Sequence, residues 1–331
     1  MFKAKKILVT GAGGFIGHHL VKTLKSEGYW VRGVDIKCPE YETSHADEFE
    51  LLDLRRSENC LRATAGVEQV YNLAANMGGI GFIESHKAEI VHDNVLINIH
   101  MLEAARKNHL EKFLFTSSAC VYPAYRQNIA DATALREEDA YPADAEDGYG
   151  WEKLYAERAC RHYREDYGLK THIVRFHNIY GPLGSFDGGR EKSPAAICRK
   201  IALADDVDEI EVWGDGEQTR SYCYIDDCVE GITRLMKSDF HEPLNLGQDK
   251  MITINELVTL VAGIAGKKIK KRHDPSKPQG VRGRNSDNTK LRAALGWEPQ
   301  TPLEEGLKKT YRWIQGELIS TGHLKERALC V

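Results

Sequence analysis

Lys6-Ile7-Leu8-Val9-Thr10-Gly11-Ala12-Gly13-Gly14-Phe15-Ile16-Gly17 is the stretch whose reading decides the fold. Its opening residues are aliphatic and β-branched, which predicts a short buried strand. Glycines end that strand, and Ile16, Leu20, Val21 and Leu24 then recur at helical spacing until Gly28 stops the helix. Residues 29–34 read as a second strand that ends at Asp35. Strand, glycine loop, helix, strand and acid, in that order and at that distance, form a dinucleotide fingerprint. The glycines let backbone approach a pyrophosphate, and the helix N-terminus presents amides and a positive dipole to it. Asp35 can accept hydrogen bonds from ribose hydroxyls and would repel a 2′-phosphate, so NAD is expected rather than NADP. A glycine pattern alone describes any tight turn before a helix; the two flanking strands and the acid carry the assignment.

Working outward, residues 49–52 read as a strand that sets Asp53 and Leu54 near the adenine, and residues 67–73 as a strand running into Ala74-Ala75. The expected cofactor contacts are Gly11, Gly14, Phe15, Ile16, Gly17, Asp35, Asp53, Leu54, Leu73, Ala74 and Ala75, joined later by Tyr149 and Lys153. Residues 76–82 hold three glycines and read as a connector beside the cleft. Helices are expected over 94–108 and 149–163, with strands at 113–115 and 171–176. This alternation predicts an α/β fold with a Rossmann, doubly wound parallel sheet.

The pattern changes after residue 180. A glycine-rich loop spans 183–190, Pro194 suits a first helical position, and 213–216 is a turn between strands. A strand is expected at 221–225 and a helix from Asp226. Thr253 with Glu256, and Thr301 with Glu304, match capping boxes. Lys267–Arg272 reads as a solvated basic face, and 280–285 reads either as two arginines brought to phosphates or as ordinary surface arginines. The expected organisation is a cofactor domain over 1–180, receiving 215–250 as well. A smaller C-terminal substrate-binding domain takes 181–214 and 251–331.

The bulk numbers exclude other classes. A net charge of −4 over 331 residues gives no electrostatic case for nucleic acid or an anionic membrane. No apolar run approaches the ~18 residues that span a bilayer. The N-terminus runs straight into the first strand without a signal-peptide core. The eight cysteines form no C-x-x-C pair and read as reduced, mostly buried thiols, which suits the cytoplasm. No metal site is expected.

The chemistry is expected where the strand at 113–115 runs into Thr116-Ser117-Ser118-Ala119-Cys120-Val121-Tyr122-Pro123. In an extended segment, Ser118 and Cys120 would point the same way. Tyr149 and Lys153, at i and i+4, share a helix face, and an ammonium near a phenol lowers its pKa from about 10 towards working pH. That makes Tyr149 a general base for an alcohol proton.

With the glycine motif, Ser118 and Tyr149-x-x-x-Lys153, the chain resembles the extended short-chain dehydrogenase/reductases. Four stretches sharpen the likeness: 117–123, Phe176-His177-Asn178-Ile179-Tyr180-Gly181-Pro182, Gly188-Gly189-Arg190-Glu191-Lys192, and Gly280-Val281-Arg282-Gly283-Arg284-Asn285-Ser286-Asp287-Asn288. Together they resemble the GDP-mannose 3,5-epimerase family over about residues 5–315. The resemblance implies Tyr149 and Lys153 as the oxidoreductase pair, with Ser118 on the reacting hydroxyl. It implies Cys120 and Lys192 as the epimerising acid–base pair. Gly78, Ser118, Cys120, Asn178, Glu191, Lys192, Lys200, Gln218 and Arg282 or Arg284 would line the substrate site. Asn76 stands where plant members carry Asp and receives no role. NAD as cofactor, GDP-mannose as substrate and a homodimer through the helices at 94–108 and 149–163 are implied in the same way.

The implied reaction is epimerisation at carbons 3 and 5 to GDP-L-galactose, with GDP-L-gulose from carbon 5 alone. A transient ketone at carbon 4 would acidify both neighbouring hydrogens. Cys120 and a desolvated Lys192 both come within reach of neutral pH. Taken singly, a cysteine after a strand is usually structural and a loop lysine usually solvated. A 4-epimerase would have no need of the thiol, and a 4,6-dehydratase would want an acid near position 120. A non-catalytic NAD-binding relative would have no use for Ser118, Tyr149 and Lys153.

Overall fold

The computed structural model describes residues 4–324. Its first half runs β1 (Lys6–Thr10), α1 (Phe15–Ser26), β2 (Trp30–Asp35), β3 (Glu48–Leu51), α2 (Ser57–Thr64) and β4 (Gln69–Asn72). Then come α3 (Ile80–Ser85), α4 (Lys87–Lys107), β5 (Lys112–Ser118), α5 (Asp147–Tyr167), β6 (Lys170–Phe176) and β7 (Asn178–Tyr180). The second half continues with α6 (Ser193–Leu203), β8 (Glu209–Trp213), β9 (Thr219–Arg220), β10 (Tyr222–Tyr224), α7 (Ile225–Lys237) and β11 (Leu244–Leu246). It closes with β12 (Ile252–Thr253), α8 (Ile254–Ala265), β13 (Lys270–Asp274), β14 (Gly283–Arg284), α9 (Thr289–Leu295) and α10 (Leu303–Ser320).

Seven strands form one parallel sheet in the order β11-β6-β5-β4-β1-β2-β3. From β1 the chain winds outward to β2 and β3, then crosses to β4 and winds the other way. The reversal opens a crevice at the carboxyl ends of β1 and β4, where ligands bind in such sheets. Alternate residues feed opposite faces. Ile7, Val9 and Leu114 join one core with Leu20, Val21 and the second half of the chain. Leu8, Phe113 and Phe115 join another with Met101, Leu102 and Cys160. This is the α/β doubly wound fold expected.

The differences are local. Helix α4 starts at Lys87, seven residues before the expected position, and buries Asp93, Asn94 and Asn98. Polar residues on an inward face hide a helix from hydrophobic spacing. The connector at 76–82 runs into the short helix α3. The strand expected at 221–225 is β10 over Tyr222–Tyr224, and Ser221 separates it from the unexpected β9. Thr253 and Glu256 form their capping box, whereas Thr301 and Glu304 do not. Pro302 occupies the cap of α10, the Thr301 amide donates to Asp227 at 2.9 Å, and Glu304 pairs with Lys308. Lys267 turns inward from its basic run, and its ammonium donates to the carbonyls of Ile201, Ala202 and Ala204 at 2.7, 3.0 and 2.6 Å. Among the described residues, seven cysteines are free thiols, with Cys38 exposed; Cys330 lies outside them.

Candidate active site

Backbone builds the cradle at the sheet crevice. Gly11 has φ +68°, and a Cβ there would lie 2.9 Å from the Ala74 nitrogen. A Cβ on Gly17 would lie 2.1 Å from the Gly11 carbonyl oxygen, so only glycine lets α1 sit this close to the loop. The Asp35 carboxylate, at the end of β2, accepts from the Gly13 amide at 2.9 Å and the Ile36 amide at 2.7 Å. Burial raises its pKa and these amides oppose the rise. Helix α1 begins at Gly14 with no side-chain cap, which leaves its N-terminus to an anionic ligand. These features fit a dinucleotide. Thr10, at the end of β1, accepts from the Leu73 and Ala74 amides at 3.0 and 3.1 Å. Asp53 is paired with Arg55 at 2.9 Å, and the Leu54 side chain is buried in the core.

The catalytic candidates meet at the end of β5. Ser118 is followed by one turn of 3₁₀-helix over Ala119–Val121, and its hydroxyl accepts from the Cys120 amide at 3.2 Å. The turn, not the expected extended segment, therefore sets the direction of the thiol. Helix α5 lies directly on this turn. The Glu146 amide donates to the Cys120 carbonyl at 2.8 Å, and a Cβ on Gly150 would sit 2.1 Å from that oxygen. The contact sets Tyr149 beside Ser118, close enough for the Ser118 hydroxyl to act on the phenol. The turn is anchored from below, where the Ser117 hydroxyl and the buried Arg175 guanidinium both donate to Glu157, at 2.5 and 2.7–2.8 Å.

Arg284, from β14, reaches into the cluster. It lies 3.7 Å from the Cys120 sulfur and donates to Glu146 and Gln127, both at 2.5 Å. Lys192, the residue before α6, stands close enough to Cys120 for their charges to interact. Tyr149, Ser118, Cys120 and Arg284 thus form one group, with Lys192 within electrostatic range of it.

Burial dominates the electrostatics. It pushes the Tyr149 hydroxyl well above its ordinary value, Cys120 and Glu152 add to the rise, and the Ser118 hydroxyl opposes it. The lowering expected from Lys153 does not prevail: its ammonium lies 5.6 Å from the Tyr149 ring and faces Glu152 at 3.7 Å. Burial, then Glu146, raises the Cys120 thiol, against Arg284 and Ser118. Burial lowers the Lys192 ammonium, against Cys120. The ammonium moves down as expected, whereas the thiol moves up, away from the neutral range expected for it, because burial disfavours the thiolate.

The substrate candidates divide. Asn178 donates to the Ser221 carbonyl at 3.0 Å and Glu191 accepts from the Gly189 amide at 2.7 Å. A Cβ on Gly78 would press on the Phe82 ring. The Gly79 amide donates to the Arg190 carbonyl at 3.0 Å, and the Arg190 guanidinium lies 3.8 Å over Phe82, so the 76–82 and 188–192 loops are joined. Gln218 donates to the Trp213 carbonyl at 2.9 Å, and its buried oxygen has no partner. Lys200 donates to the Glu211 carbonyl at 2.9 Å and Arg282 to Asp215 at 2.7 Å, both outside the thiol cluster. The sequence reading gave no role to Glu146, Gln127 and Arg220. Arg220 donates only to the Thr219 and Gln279 carbonyls, and burial with the nearby Arg284 lowers its pKa to about 10. Its place two residues from Gln218 was the one available signal.

The NAD dependent epimerase/dehydratase family matches residues 7–247, and the chain belongs to it. It is 50% identical over 315 residues to the GDP-mannose 3,5-epimerase of Arabidopsis thaliana, across 95% of this chain and 83% of that one. It is 49% identical to GDP-mannose 3,5-epimerase 1 of Oryza sativa subsp. japonica, across 95% and 82%. The UDP-glucose 4-epimerase of Thermotoga maritima, solved with UDP-glucose, superposes with a TM-score of 0.86 at 29% identity, across 95% of this chain and 99% of that one.

Proposed function

We propose that this chain is a GDP-mannose 3,5-epimerase, forming GDP-L-galactose, and GDP-L-gulose where only carbon 5 inverts. The observation that carries the reading is the meeting of Cys120 and Lys192 beside Ser118 and Tyr149. Tyr149 takes the proton of the carbon 4 hydroxyl while Ser118 holds that hydroxyl in place. NAD bound in the glycine cradle would accept hydride from carbon 4 and return it. The ketone acidifies the hydrogens at carbons 3 and 5, and Cys120 and Lys192 remove a proton from one ring face and supply one to the other. Arg284 opposes the rise that burial imposes on the thiol, and Arg220 supplies donors for the diphosphate.

The cofactor half takes 1–180 with 215–250, and 181–214 with 251–331 supplies the substrate half; β11 in the main sheet supports that division. Trp151, Tyr155 and Tyr167, all exposed on α5, support a homodimer through α4 and α5. Cys120 must stay reduced to act, which suits the cytoplasm. Among the described residues no helix is long and apolar enough to cross a membrane.

Incubation with GDP-mannose in deuterated water, read by NMR, tests the reaction. Deuterium is expected at carbon 5, or at carbons 3 and 5, with carbon 4 still protonated. Inversion at carbon 4 without label would make this chain a 4-epimerase. Loss of the carbon 6 hydroxyl would make it a dehydratase, and an unchanged sugar would leave a binding protein.

A further inference from the structure

The side chain of Glu152 on α5 is wholly enclosed, and its carboxylate lies 3.7 Å from the Lys153 ammonium, itself 2% exposed. The reaction outlined above gives this carboxylate no task. A buried carboxyl group is costly unless its surroundings are arranged for one of its two states. The hydrogen bonds around Glu152 show which state that is.

Asn94 and Asn98 of α4 face the carboxylate, with Nδ2 atoms 2.8 and 3.4 Å from its two oxygens. The direction of each amide is fixed by groups that can only donate. The Asn94 oxygen accepts from the Asn76 backbone amide at 2.7 Å, so its NH₂ must turn to Glu152. Asn98 is fixed through a longer chain. The Thr10 hydroxyl accepts from the Leu73 and Ala74 amides, at 3.0 and 3.1 Å, which fills its two lone pairs. Its hydrogen must therefore go to the Asn72 oxygen, 2.9 Å away. That leaves the Asn72 NH₂ to donate to the Asn98 oxygen at 3.0 Å, and the Asn98 NH₂ to donate to Glu152. Backbone amides thus dictate that Glu152 meets two NH₂ groups and an ammonium. A carboxylic acid would bring a fourth donor to a site that already holds three. Burial raises the Glu152 pKa, and Lys153, Asn94 and Asn98 oppose that rise; the hydrogen-bond directions suit the ionised form.

We infer that Glu152 is a positioning residue: an ionised carboxylate, oriented from the cofactor loop through Thr10, Asn72 and Asn98, that holds the Lys153 ammonium and sets the ionisation of the Tyr149–Lys153 pair. The inference rests on the reading of Tyr149 and Lys153 as the proton-transfer pair. Lys153 and Tyr149 on α5, with Asn94 and Asn98 from α4, are the groups disposed around the carboxylate. Cys120, from the turn after β5, is the other ionisable group against Tyr149. A negative charge in this place holds a proton on the pair. Its removal releases the Tyr149 proton more easily.

The test uses the NAD-loaded protein and the tyrosinate ultraviolet absorbance against pH, each variant minus the same variant carrying Tyr149→Phe. Glu152→Gln is expected to bring the Tyr149 signal to a pH lower by roughly one unit or more, and Glu152→Asp, which keeps the charge, to leave it near the wild-type position. An amide at position 152 sets donor against donor at Asn98, so Glu152→Gln is also made with Asn98→Ala. A signal that stays in place or moves to higher pH in both backgrounds overturns the inference. The titration needs no turnover, so a chain that fails to epimerise GDP-mannose but shows the shift refutes the proposed reaction and leaves the inference standing.

Discussion

The glycine cradle and the thiol cluster are built in opposite ways. The cradle comes from one continuous run, residues 10–17, closed by Asp35, and its working parts are backbone amides and missing Cβ atoms. The thiol cluster draws side chains from residues 118, 120, 146, 149, 192 and 284, which meet only once the whole chain has folded. The first is specified locally, so one added carbon breaks it. The second depends on distant contacts, so Tyr149 and Cys120, which stand outside the Arg284–Glu146 ion pair, can be shortened singly with the frame intact.

Substitutions within the cluster should separate its tasks and have the largest effect. Tyr149→Phe is expected to abolish turnover together with all exchange, because no ketone forms. Cys120→Ala is expected to lower deuterium incorporation at carbons 3 and 5 at least about a hundredfold, while both variants keep the wild-type thermal midpoint. Exchange at the wild-type rate in Cys120→Ala would remove the thiol from the mechanism.

Gly17→Ala should show the reverse, losing stability and cofactor together. Its Cβ has no room against the Gly11 carbonyl, at a cost on the order of 3 kcal/mol. Gly263→Ala, on the exposed side of α8 with nothing near its Cβ, is the control and should add roughly 0.5–1 kcal/mol. Denaturant midpoints and retained NAD measure both.

The smallest effect on the reaction itself concerns the frame beneath both regions. Burial lowers His172 to about 4, and its Nδ1 is 2.7 Å from the Phe240 carbonyl. The unfolded chain takes up this proton near pH 6.5 and the folded chain only near 4. Stability is therefore present at neutral pH and falls as pH drops through that window, by about 1.4 kcal/mol per unit. His177, lowered to about 3, acts in the same direction. His172→Asn should flatten the decline between pH 6.5 and 4 in denaturant titrations without moving the exchange rates at carbons 3 and 5.

The same contrast explains what could be read from the sequence. Strand, glycine loop, helix and Asp35 were legible because each signal is local, and the parallel sheet followed from their repetition. Tyr149 and Lys153 were legible as a pair because one helical turn joins them. The role of Arg284 beside Cys120 was not, since 164 residues separate them. The early start of α4 was missed because residues 87–93 put only Ile90 and the polar Asp93 on its buried face. Asn94 and Asn98, which follow, orient Glu152. The outward reading of Lys267 failed similarly, because the carbonyls that it meets belong to another helix.

Strand β11 has a consequence for how the chain is made. It adds the last edge of the main sheet beside β6, yet it follows some 65 residues that build other structure. Asn245 within it donates to the Leu135 carbonyl at 2.8 Å and accepts from the Tyr122 hydroxyl at 2.6 Å. A nascent chain that has cleared the ribosome only to residue 180 therefore holds an unfinished sheet and a Tyr122 hydroxyl that has its donor, Arg175, but not its acceptor. The cofactor cradle can form early in synthesis, whereas the ground beneath Ser118 and Cys120 is completed only when residue 246 emerges.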